Sequence, residues 1–295
     1  MEHGPVNAPS AFDLKPRLRV LAVCFLATVA VGFRHIPRVD PDQLFFLDKY
    51  EKPSAYNVLL LGDSRVFVGL DPGAFDEAIP SAKCLNFGFA ALGYSNAYFD
   101  RVEQILSHRS ARPLVVLAVD ASALTDLSAG NNAFTDVARM TPLERFQLRL
   151  VGPNWKEPDP IRRPHRFTDN GWIPVTGIPF NPSESLDIFA RQFRTARCSD
   201  AVLSTVAKRI RRWRSQGIQV LALRMPTSRD VYRLECDLIG YRPDHVRRAL
   251  TEAGATWLDL PPSDTDSYDG SHLGLAGSQR ISAVVSRAAA RLIGP

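Results

Sequence analysis

Short apolar runs alternate along the chain with amphipathic stretches, and this alternation limits the fold more than any other feature. The runs that predict strands are Asn57–Leu61, Lys83–Asn86, Leu114–Val119, Ile218–Leu223 and Thr256–Leu260. The stretches that predict helices are Pro72–Ala78, Tyr94–Ser107, Asp200–Gln216, Asp244–Ala253 and Leu275–Leu292. Apolar strands that alternate with helices are covered on both faces, so they pair in parallel. The sequence therefore predicts an α/β fold, a flavodoxin-like three-layer sandwich with a five-stranded parallel sheet.

Composition is that of a globular protein with one large domain and appendages. The chain has 295 residues, of which 45% are hydrophobic and 23% are charged. The net charge of +5 comes from 36 basic and 31 acidic residues. The arginine-rich run 209–214 lies on a predicted helix and is interpreted as a solvated face. No nucleic-acid partner is therefore predicted.

The N-terminal region predicts membrane anchoring. Residues 1–17 form a polar tail, and residues 18–34 contain the uncharged stretch Val20–Phe33 between basic residues. We interpret 18–34 as an uncleaved signal-anchor helix, crossing the inner membrane once with the following domain on the extracytoplasmic, periplasmic side. The alternatives are a signal peptide cleaved near Ala30 and a buried helix of the domain. Residues 35–55 predict a linker whose apolar patch, Leu44–Leu47, docks on the α/β domain at 56–295.

A long insertion, residues 121–199, separates the third and fourth predicted strands. It contains a helical stretch at Pro142–Leu150 and a segment rich in Pro, Gly and Trp at Gly152–Pro182. In that segment large aromatic residues alternate with basic ones: Trp155, Arg162, Arg163, His165, Arg166, Phe167, Trp172 and Phe180. We interpret the insertion as a lid or partner-docking surface, with a disordered surface loop as the alternative.

The four cysteines predict no metal site. Cys24 lies in the apolar N-terminal stretch and Cys84 in a predicted strand, where it is expected to be core. Cys198 and Cys236 could pair if the domain is exported. No Cys-x-x-Cys motif or His/Cys cluster is present, so neither a metal nor a cofactor is predicted.

Two short motifs carry the chemistry. Gly62-Asp63-Ser64-Arg65 follows the first predicted strand, and Asp269-Gly270-Ser271-His272 precedes the closing helix. A serine on a strand-to-helix turn and an Asp-x-x-His loop together supply a nucleophile, a base and a residue that orients the base. In a parallel α/β sheet such residues collect at the carboxyl ends of the strands.

These motifs resemble those of the SGNH (GDSL-type) hydrolase superfamily, together with Asn86-Phe87-Gly88 after the second strand. The layout is most similar to that of membrane-anchored SGNH-like proteins that act in cell-surface polysaccharide acylation, and it covers residues 56–293. The resemblance implies that Ser64 is the nucleophile, His272 the base and Asp269 its orienting partner. It also implies an oxyanion hole made by the backbone N–H groups of Ser64 and Gly88.

The third family motif, Gly-x-Asn-Asp, is absent here. The corresponding strand leads into Asp120-Ala121-Ser122, so the resemblance leaves the third oxyanion donor open, with Ser122, Asn131 and Asn132 as substitutes. Side chains expected to contact substrate are Asp63, Arg65, Asn86, Asp120 and Ser122. For Arg65 a structural salt bridge is the alternative, and for Asp120 a helix-capping role.

The expected activity is that of a serine esterase or O-acyltransferase. An acetyl group would pass through an acyl-enzyme at Ser64 to or from a cell-surface or exopolysaccharide glycan. A membrane-bound O-acyltransferase is the expected partner. The alternatives are a non-catalytic domain that binds a glycan or such a partner, and a secreted esterase released by signal cleavage.

Overall fold

A parallel sheet of five strands, in the order β2-β1-β3-β4-β5, forms the centre of the molecule. The computed structural model describes residues 41–107, 112–152, 156, 166–176, 182–262 and 266–294. The strands are β1 Val58–Leu61, β2 Cys84–Asn86, β3 Leu114–Ala118, β4 Gln219–Leu223 and β5 Thr256–Leu258. Each predicted strand is confirmed and is one or two residues shorter than expected. The order is that of the flavodoxin-like sandwich, so the predicted fold class is confirmed.

Helices cover both faces of the sheet. Their bounds are α1 Pro41–Tyr50, α2 Ser64–Gly69, α3 Pro72–Ala78, α4 Asn96–Ile105, α5 Asp126–Gly130, α6 Ala133–Arg139, α7 Pro142–Val151, α8 Pro182–Phe193, α9 Asp200–Ser215, α10 Arg229–Leu234, α11 Pro243–Glu252 and α12 Leu275–Ile293. A 3-10 turn at Ser122–Leu124 follows β3, and a π-helical turn at Glu235–Ile239 follows α10. All six predicted helices, including the one at Pro142–Leu150, are present within two residues of their expected ends.

The strand residues alternate between two apolar layers. Val58 and Leu60 of β1 belong to a cluster that includes Phe75 of α3 and Val285 of α12, all of them buried. On the opposite face, Trp213 of α9 meets the ring of Phe99 edge-on at 5.4 Å. Burying a side chain of this size contributes about 1.5–3 kcal/mol, so the two layers supply most of the stability of the sandwich.

The arginine-rich run is only partly solvated, which corrects its interpretation as a solvated face. The side chain of Arg209 is 8% exposed and pairs with Asp100 and Glu103, each at 2.8 Å. Trp213 is fully buried and donates its indole N–H to Glu103. The helical period places Arg209 and Trp213 on the face that α9 turns toward α4, so the run joins two helices.

Residues 41–55, assigned to a linker by their sequence, begin with helix α1. Phe45 and Leu47 are 2% and 0% exposed. The ring of Phe46 lies 5.8 Å from that of Phe67 in α2. The apolar patch therefore forms part of the core of the compact unit that starts at Pro41.

The predicted tail and anchor, residues 1–17 and 18–34, lie outside the described residues. Within the part of the chain that the structure describes, no helix has both the length and the apolar character needed to cross a bilayer.

The described parts of the insertion are helices and a buried strut, residues 166–176. In the strut, Phe167 stacks on Phe45 at 4.1 Å and Trp172 donates its indole N–H to Val68 O at 2.9 Å. Both aromatic side chains are buried, so they do not belong to a lid; Arg166 is exposed. Outside the described residues lie the other members of the aromatic and basic segment, Trp155, Arg162, Arg163, His165 and Phe180.

A buried lysine joins α1, the strut and the loop after β2. Lys49 is 1% exposed, and its ammonium group donates to Gly88 O at 2.6 Å and to Gly171 O at 2.9 Å. Burial lowers the pKa of Lys49 well below its ordinary value. Aromatic rings surround the Nζ atom at 4.6–5.8 Å: Phe45, Phe46, Phe67 and Phe89. One buried side chain thus ties together segments that are far apart in the sequence.

We expect Lys49→Met to destabilise the protein, because it leaves the two carbonyls buried without a donor. Each unsatisfied group costs about 1–3 kcal/mol, so the free energy of unfolding should fall by roughly 2 kcal/mol or more. Urea unfolding of the purified protein measures this change. Lys52→Met, on the same segment but half-exposed, is the matched control and should change stability by less than about 0.5 kcal/mol. Equal effects of the two substitutions would contradict the role of Lys49.

Candidate active site

The predicted nucleophile, Ser64, lies on a tight turn between β1 and α2. Asp63 caps α2, accepting a hydrogen bond from Arg65 N at 2.9 Å, and Ser64 is the first residue of the helix. A Cβ atom at Gly62 would lie 2.3 Å from Val66 Cγ2, so only glycine allows the strand to pass this close to the helix. As the first helical residue, Ser64 has a backbone N–H without an acceptor inside the helix.

The base and its partner come from the loop before α12. Ser64 Oγ lies 2.8 Å from His272 Nε2, and His272 Nδ1 lies 2.7 Å from Asp269 Oδ2. The other carboxylate oxygen of Asp269 accepts from the backbone N–H groups of Ser271 and His272, at 2.8 and 2.7 Å. The structure thus brings together the three residues predicted to be catalytic, although Ser64 and His272 are 208 positions apart.

The bonding pattern sets the tautomer of the histidine. Burial alone would raise the pKa of Asp269, but hydrogen bonds and the charge of His272 outweigh it, and the net pKa lies below its ordinary value. Asp269 is therefore ionised at neutral pH and accepts a proton from His272 Nδ1. His272 Nε2 is then left with a lone pair directed at the Ser64 hydroxyl, as a general base requires.

A second set of bonds holds this loop in place. Ser228 N, at the start of α10, donates to Gly270 O at 2.7 Å. Gly270 has φ +85°, and a Cβ atom there would lie 2.9 Å from Ser228 Oγ, so the turn requires glycine. The ring of Tyr268 stacks on that of His272 with centroids 5.9 Å apart. The imidazole is therefore fixed both by its bonds and by a neighbouring ring.

The predicted oxyanion donor Gly88 has another role in this structure. Its backbone N–H donates to the side-chain oxygen of Asn86 at 3.1 Å, and its carbonyl accepts from Lys49. A Cβ atom at Gly88 would lie 3.0 Å from Asp63 O and from Phe67 N. Glycine is thus needed for the loop to pack against the nucleophile turn. Of the two predicted oxyanion donors, the N–H of Gly88 is already bonded to Asn86, whereas the N–H of Ser64 has no acceptor within its helix.

Of the three candidates for the missing third donor, Ser122 is bonded to the nucleophile turn. Its hydroxyl donates to Asp63 Oδ2 at 2.8 Å. Asn132 instead caps α6, accepting from Thr135 N, and Asn131 ends α5 at an exposed position.

Asn86 is a structural residue and does not contact solvent. It is 0% exposed, and its amide nitrogen donates to Val66 O and Leu70 O, both at 2.8 Å. Val66 lies in α2, where its carbonyl also accepts from Leu70 N, and Leu70 is the residue that ends the helix. The expected substrate contact is therefore wrong for Asn86, which instead completes the end of the nucleophile helix.

Arg65 and Asp120 form a buried ion cluster, which corrects their expected contact with substrate. Arg65 is 4% exposed and lies 2.6 Å from Glu235 Oε1 and 3.4 Å from Asp120 Oδ1. Arg224 pairs with the other oxygen of Glu235 at 2.5 Å. The salt-bridge alternative for Arg65 is the one that the structure adopts. Asp120 accepts from Met225 N and caps no helix.

The charges of this cluster are unevenly compensated. Burial and the neighbouring Asp63 carboxylate raise the pKa of Asp120 to about 7, against the opposing effect of Arg65. Burial also acts to raise the pKa of Glu235, but Arg65 and Arg224 outweigh it and lower the net value. Glu235 is thus the firm counterion of Arg65. The amino-acid sequence does not indicate this role, because Glu235 lies in no motif.

Arg65 also bonds to the loop that carries the base. Its Nε atom donates to Ser271 Oγ at 2.8 Å. Ser271 immediately precedes His272, and Arg65 immediately follows Ser64. The side chain therefore links the nucleophile turn directly to the base loop, a role that the spacing of the motifs did not reveal.

An open cavity of about 490 Å³ lies beside the stacked Tyr268 ring, at the start of α12. Its walls include Val175 from the strut, Leu275 and Arg280. Within the described ranges, no group of three His, Cys, Asp or Glu side chains is placed to hold a metal ion. Cys84, Cys198 and Cys236 are free thiols, so the pairing considered for the last two is not formed.

No family model and no curated protein matches this chain. Among solved structures, a Streptococcus pneumonia protein described as a candidate platelet activating factor is 12% identical, with 92% of this chain and 99% of that chain covered and a TM-score of 0.40. M. Smegmatis aryl esterase is similar in its inhibitor-bound form at 12% identity and a TM-score of 0.39, with 81% of this chain and 100% of that chain covered. The native form of the same esterase is 11% identical with a TM-score of 0.37, and again 81% of this chain and 100% of that chain are covered. Likeness at this level carries no information on function, which has to come from the geometry of the site.

We expect Arg65→Lys to slow catalysis while leaving substrate binding intact. Lysine keeps the charge beside Glu235 but lacks the fork that also reaches Ser271, so the base loop loses its tie to the nucleophile turn. Misplacement of a catalytic group costs up to about 100-fold, so kcat on an activated ester should fall about 10- to 100-fold with KM changed less than about threefold.

Ser271→Ala is the matched variant, because it removes the same hydrogen bond without touching a charge. It should lower kcat in the same direction and leave the urea midpoint close to that of the wild type. A full loss in Arg65→Lys with unchanged kcat in Ser271→Ala would show that Arg65 acts only through its ion pairs.

Proposed function

We propose that this protein is a serine-dependent esterase in which Ser64 forms an acyl-enzyme. One observation carries the proposal: an unbroken hydrogen-bonded series runs from Ser64 Oγ through both ring nitrogens of His272 to Asp269. A serine hydroxyl is a weak nucleophile until a base accepts its proton. The base here is within reach, in the required tautomer, and fixed in orientation by a carboxylate.

The reaction proceeds in two halves. In the first, Ser64 Oγ attacks the ester carbonyl as its proton passes to His272 Nε2, and Asp269 stabilises the imidazolium that forms. The tetrahedral intermediate collapses, His272 returns the proton to the departing alkoxide, and the acyl group remains on Ser64. In the second half His272 takes a proton from water or from another hydroxyl, which attacks the acyl-enzyme. Ser64 recovers its proton when the acid or the new ester leaves.

The backbone N–H of Ser64 supports this chemistry. It lies at the first turn of α2, where it is not used by the helix, next to the atom that attacks. The hydroxyl of Ser122, in the 3-10 turn after β3, donates to Asp63 of the turn that carries Ser64. Rotation of that hydroxyl would supply a second donor to the developing oxyanion in place of the missing asparagine.

The finer proposal concerns the substrate. We infer an acetyl or similar short acyl group and a cell-surface or exopolysaccharide glycan as its carrier or acceptor. This rests on the resemblance of the motifs to membrane-anchored SGNH-like proteins of polysaccharide acylation, and on the apolar segment at 18–34. On this proposal the enzyme is held on the periplasmic side of the inner membrane, beside a membrane-bound O-acyltransferase. Attack of water on the acyl-enzyme gives hydrolysis, and attack of a sugar hydroxyl gives transfer.

A non-catalytic binding domain is the competing proposal. A domain that only binds has no need for a serine and a histidine at hydrogen-bonding distance. The side chains of His272 and Asp269 are each 19% exposed, so the hydrogen-bonded series is partly open to solvent. Access and geometry together favour the enzyme.

We expect Ser64→Ala and His272→Ala to abolish hydrolysis of p-nitrophenyl acetate by the full-length protein in detergent. Asp269→Asn should lower kcat by about 10,000-fold, because an asparagine supports the wrong tautomer of the base. Reaction with a fluorophosphonate, followed by peptide mass spectrometry, should place the adduct on Ser64. A folded parent protein with neither hydrolysis nor labelling would favour the binding domain instead.

Substrate class requires a separate measurement. With an acetyl donor ester and an oligosaccharide acceptor, we expect mass spectrometry to detect an acetylated oligosaccharide in the wild type and none with Ser64→Ala. If acetate alone accumulates in the presence of the acceptor, the enzyme is a hydrolase. Incubation with an acetylated polysaccharide then asks whether the glycan is its substrate.

A further inference from the structure

Helix α7 turns an apolar face to solvent. Leu143, Phe146 and Leu150 are 63%, 62% and 58% exposed. They are three and four positions apart, so they lie on one side of the helix. Val151, at the end of the helix, adds a further 38% exposed side chain. Single exposed apolar residues are ordinary, but three large ones on one face of a helix mark an interaction surface.

The opposite face of α7 is firmly attached to α1. Leu148 is 4% exposed. Arg145 pairs with Glu51 at 3.2 Å, and Arg149 pairs with Asp48 at 2.8 Å and with Glu51 at 2.7 Å. A capping box formed by Thr141 and Glu144 fixes the start of the helix. The apolar face is therefore presented outward by a well-defined helix.

The direction of α7 brings this face toward the start of α1. Arg145, early in α7, contacts Glu51 just past the end of α1. A Cβ atom at Gly152, after α7, would lie 3.3 Å from Leu44, early in α1. The two helices are thus antiparallel, and Leu150 lies toward Pro41. Phe33, the end of the apolar N-terminal stretch, is eight residues before Pro41, a distance of at most about 29 Å along an extended chain.

We propose that the apolar face of α7 lies on the lipid surface next to the N-terminal anchor, with Leu143, Phe146 and Leu150 in the boundary between headgroups and acyl chains. This inference rests on the proposed membrane anchoring, not on the esterase activity. Amphipathic helices bind in this plane through an apolar face of Leu and Phe. The anchor holds the helix close to the bilayer, so that even weak partitioning keeps it in contact.

Lipid fits this surface better than a second copy of the chain. The described unit begins at Pro41, and the Leu150 end of the face lies toward that residue, so the face is near the point from which the chain continues to the predicted anchor. Arg139, exposed at the end of the preceding helix α6, is suited to anionic headgroups. Occupation of the face by a second copy remains a measurable outcome.

Photo-crosslinking of the full chain tests the proposal. A benzoylphenylalanine at position 146 is incorporated, the protein is reconstituted in vesicles of phosphatidylethanolamine and phosphatidylglycerol, and adducts are identified by mass spectrometry after irradiation. The control carries the same group at position 211, where the native Arg211 is exposed on α9. We expect lipid adducts at position 146 at about ten times the level at position 211.

Two outcomes would overturn the proposal. Adducts of position 146 with another protein chain or with residues of the same chain, without lipid, would assign the face to a protein contact. Equal lipid labelling at 146 and 211 would show that the face is not in the bilayer. Carbonate extraction of the same vesicles tests the N-terminal anchor separately from the contact of α7 with lipid. Protein that is retained but not lipid-labelled disproves the role of α7 alone, whereas protein that is released disproves the anchor and this inference together.

The hydrophobicity of the face provides a second test. A variant with Leu143, Phe146 and Leu150 all replaced by Ser should show amide hydrogen exchange in α7 on the vesicles at least about tenfold faster than in the wild type. Leu127→Ser, at a 59% exposed position on α5, is the matched control and should leave α7 unchanged. Equal exchange in the wild type and the triple variant would contradict lipid contact. Hydrolysis of the activated ester by the same samples reports separately on the proposed activity.

Discussion

The buried guanidinium of Arg65 is the interaction on which the candidate site depends. Burying a charge is costly unless partners compensate it, and Arg65 meets Glu235, Asp120 and Ser271 within one cluster. Glu235 follows β4 and α10, and Ser271 precedes α12. Arg65 therefore joins segments that are far apart in the sequence. Arg65 and Ser271, the residues beside Ser64 and His272, are bonded to each other, and this bond links the two turns that carry the candidate nucleophile and base.

A second buried basic side chain has a corresponding role at the helix that begins with Ser64. Lys49 holds the carbonyl of Gly88 and that of Gly171, while the rings around it exclude water. The loop after β2 is thereby held against the turn that carries Ser64, and the strut, residues 166–176, is bonded to the same lysine. Two buried basic side chains, Arg65 and Lys49, thus hold the loops around Ser64, whereas the apolar layers stabilise the sheet that supports them.

The sequence predicted the sheet and its strand order, and it predicted that Ser64, Asp269 and His272 come together, because these features follow from local patterns. Apolar runs mark strands, and the family motifs name Ser64, Asp269 and His272. The roles of Asn86, Gly88 and Arg65 depend on what lies opposite them in space, which no local pattern contains. Asn86 is a polar residue at the end of a strand. The sequence alone does not tell whether its side chain binds a ligand or the end of a helix. The sequence of helix α1 predicts a linker, because ten residues with a proline and two aspartates resemble a connecting segment more than a core.

Helix α1 also limits where the chain can be cut in the cell. Removal of a leader at Ala30 would leave Phe45, Phe46 and Lys49 in place, and the released protein would keep the wall behind Gly88. Proteolysis anywhere within 44–50 would instead open the aromatic enclosure to water and free the loop that packs on the nucleophile turn. The segment from Leu44 to Tyr50 is therefore part of the support of the turn that carries Ser64, although it is far from that turn in the sequence.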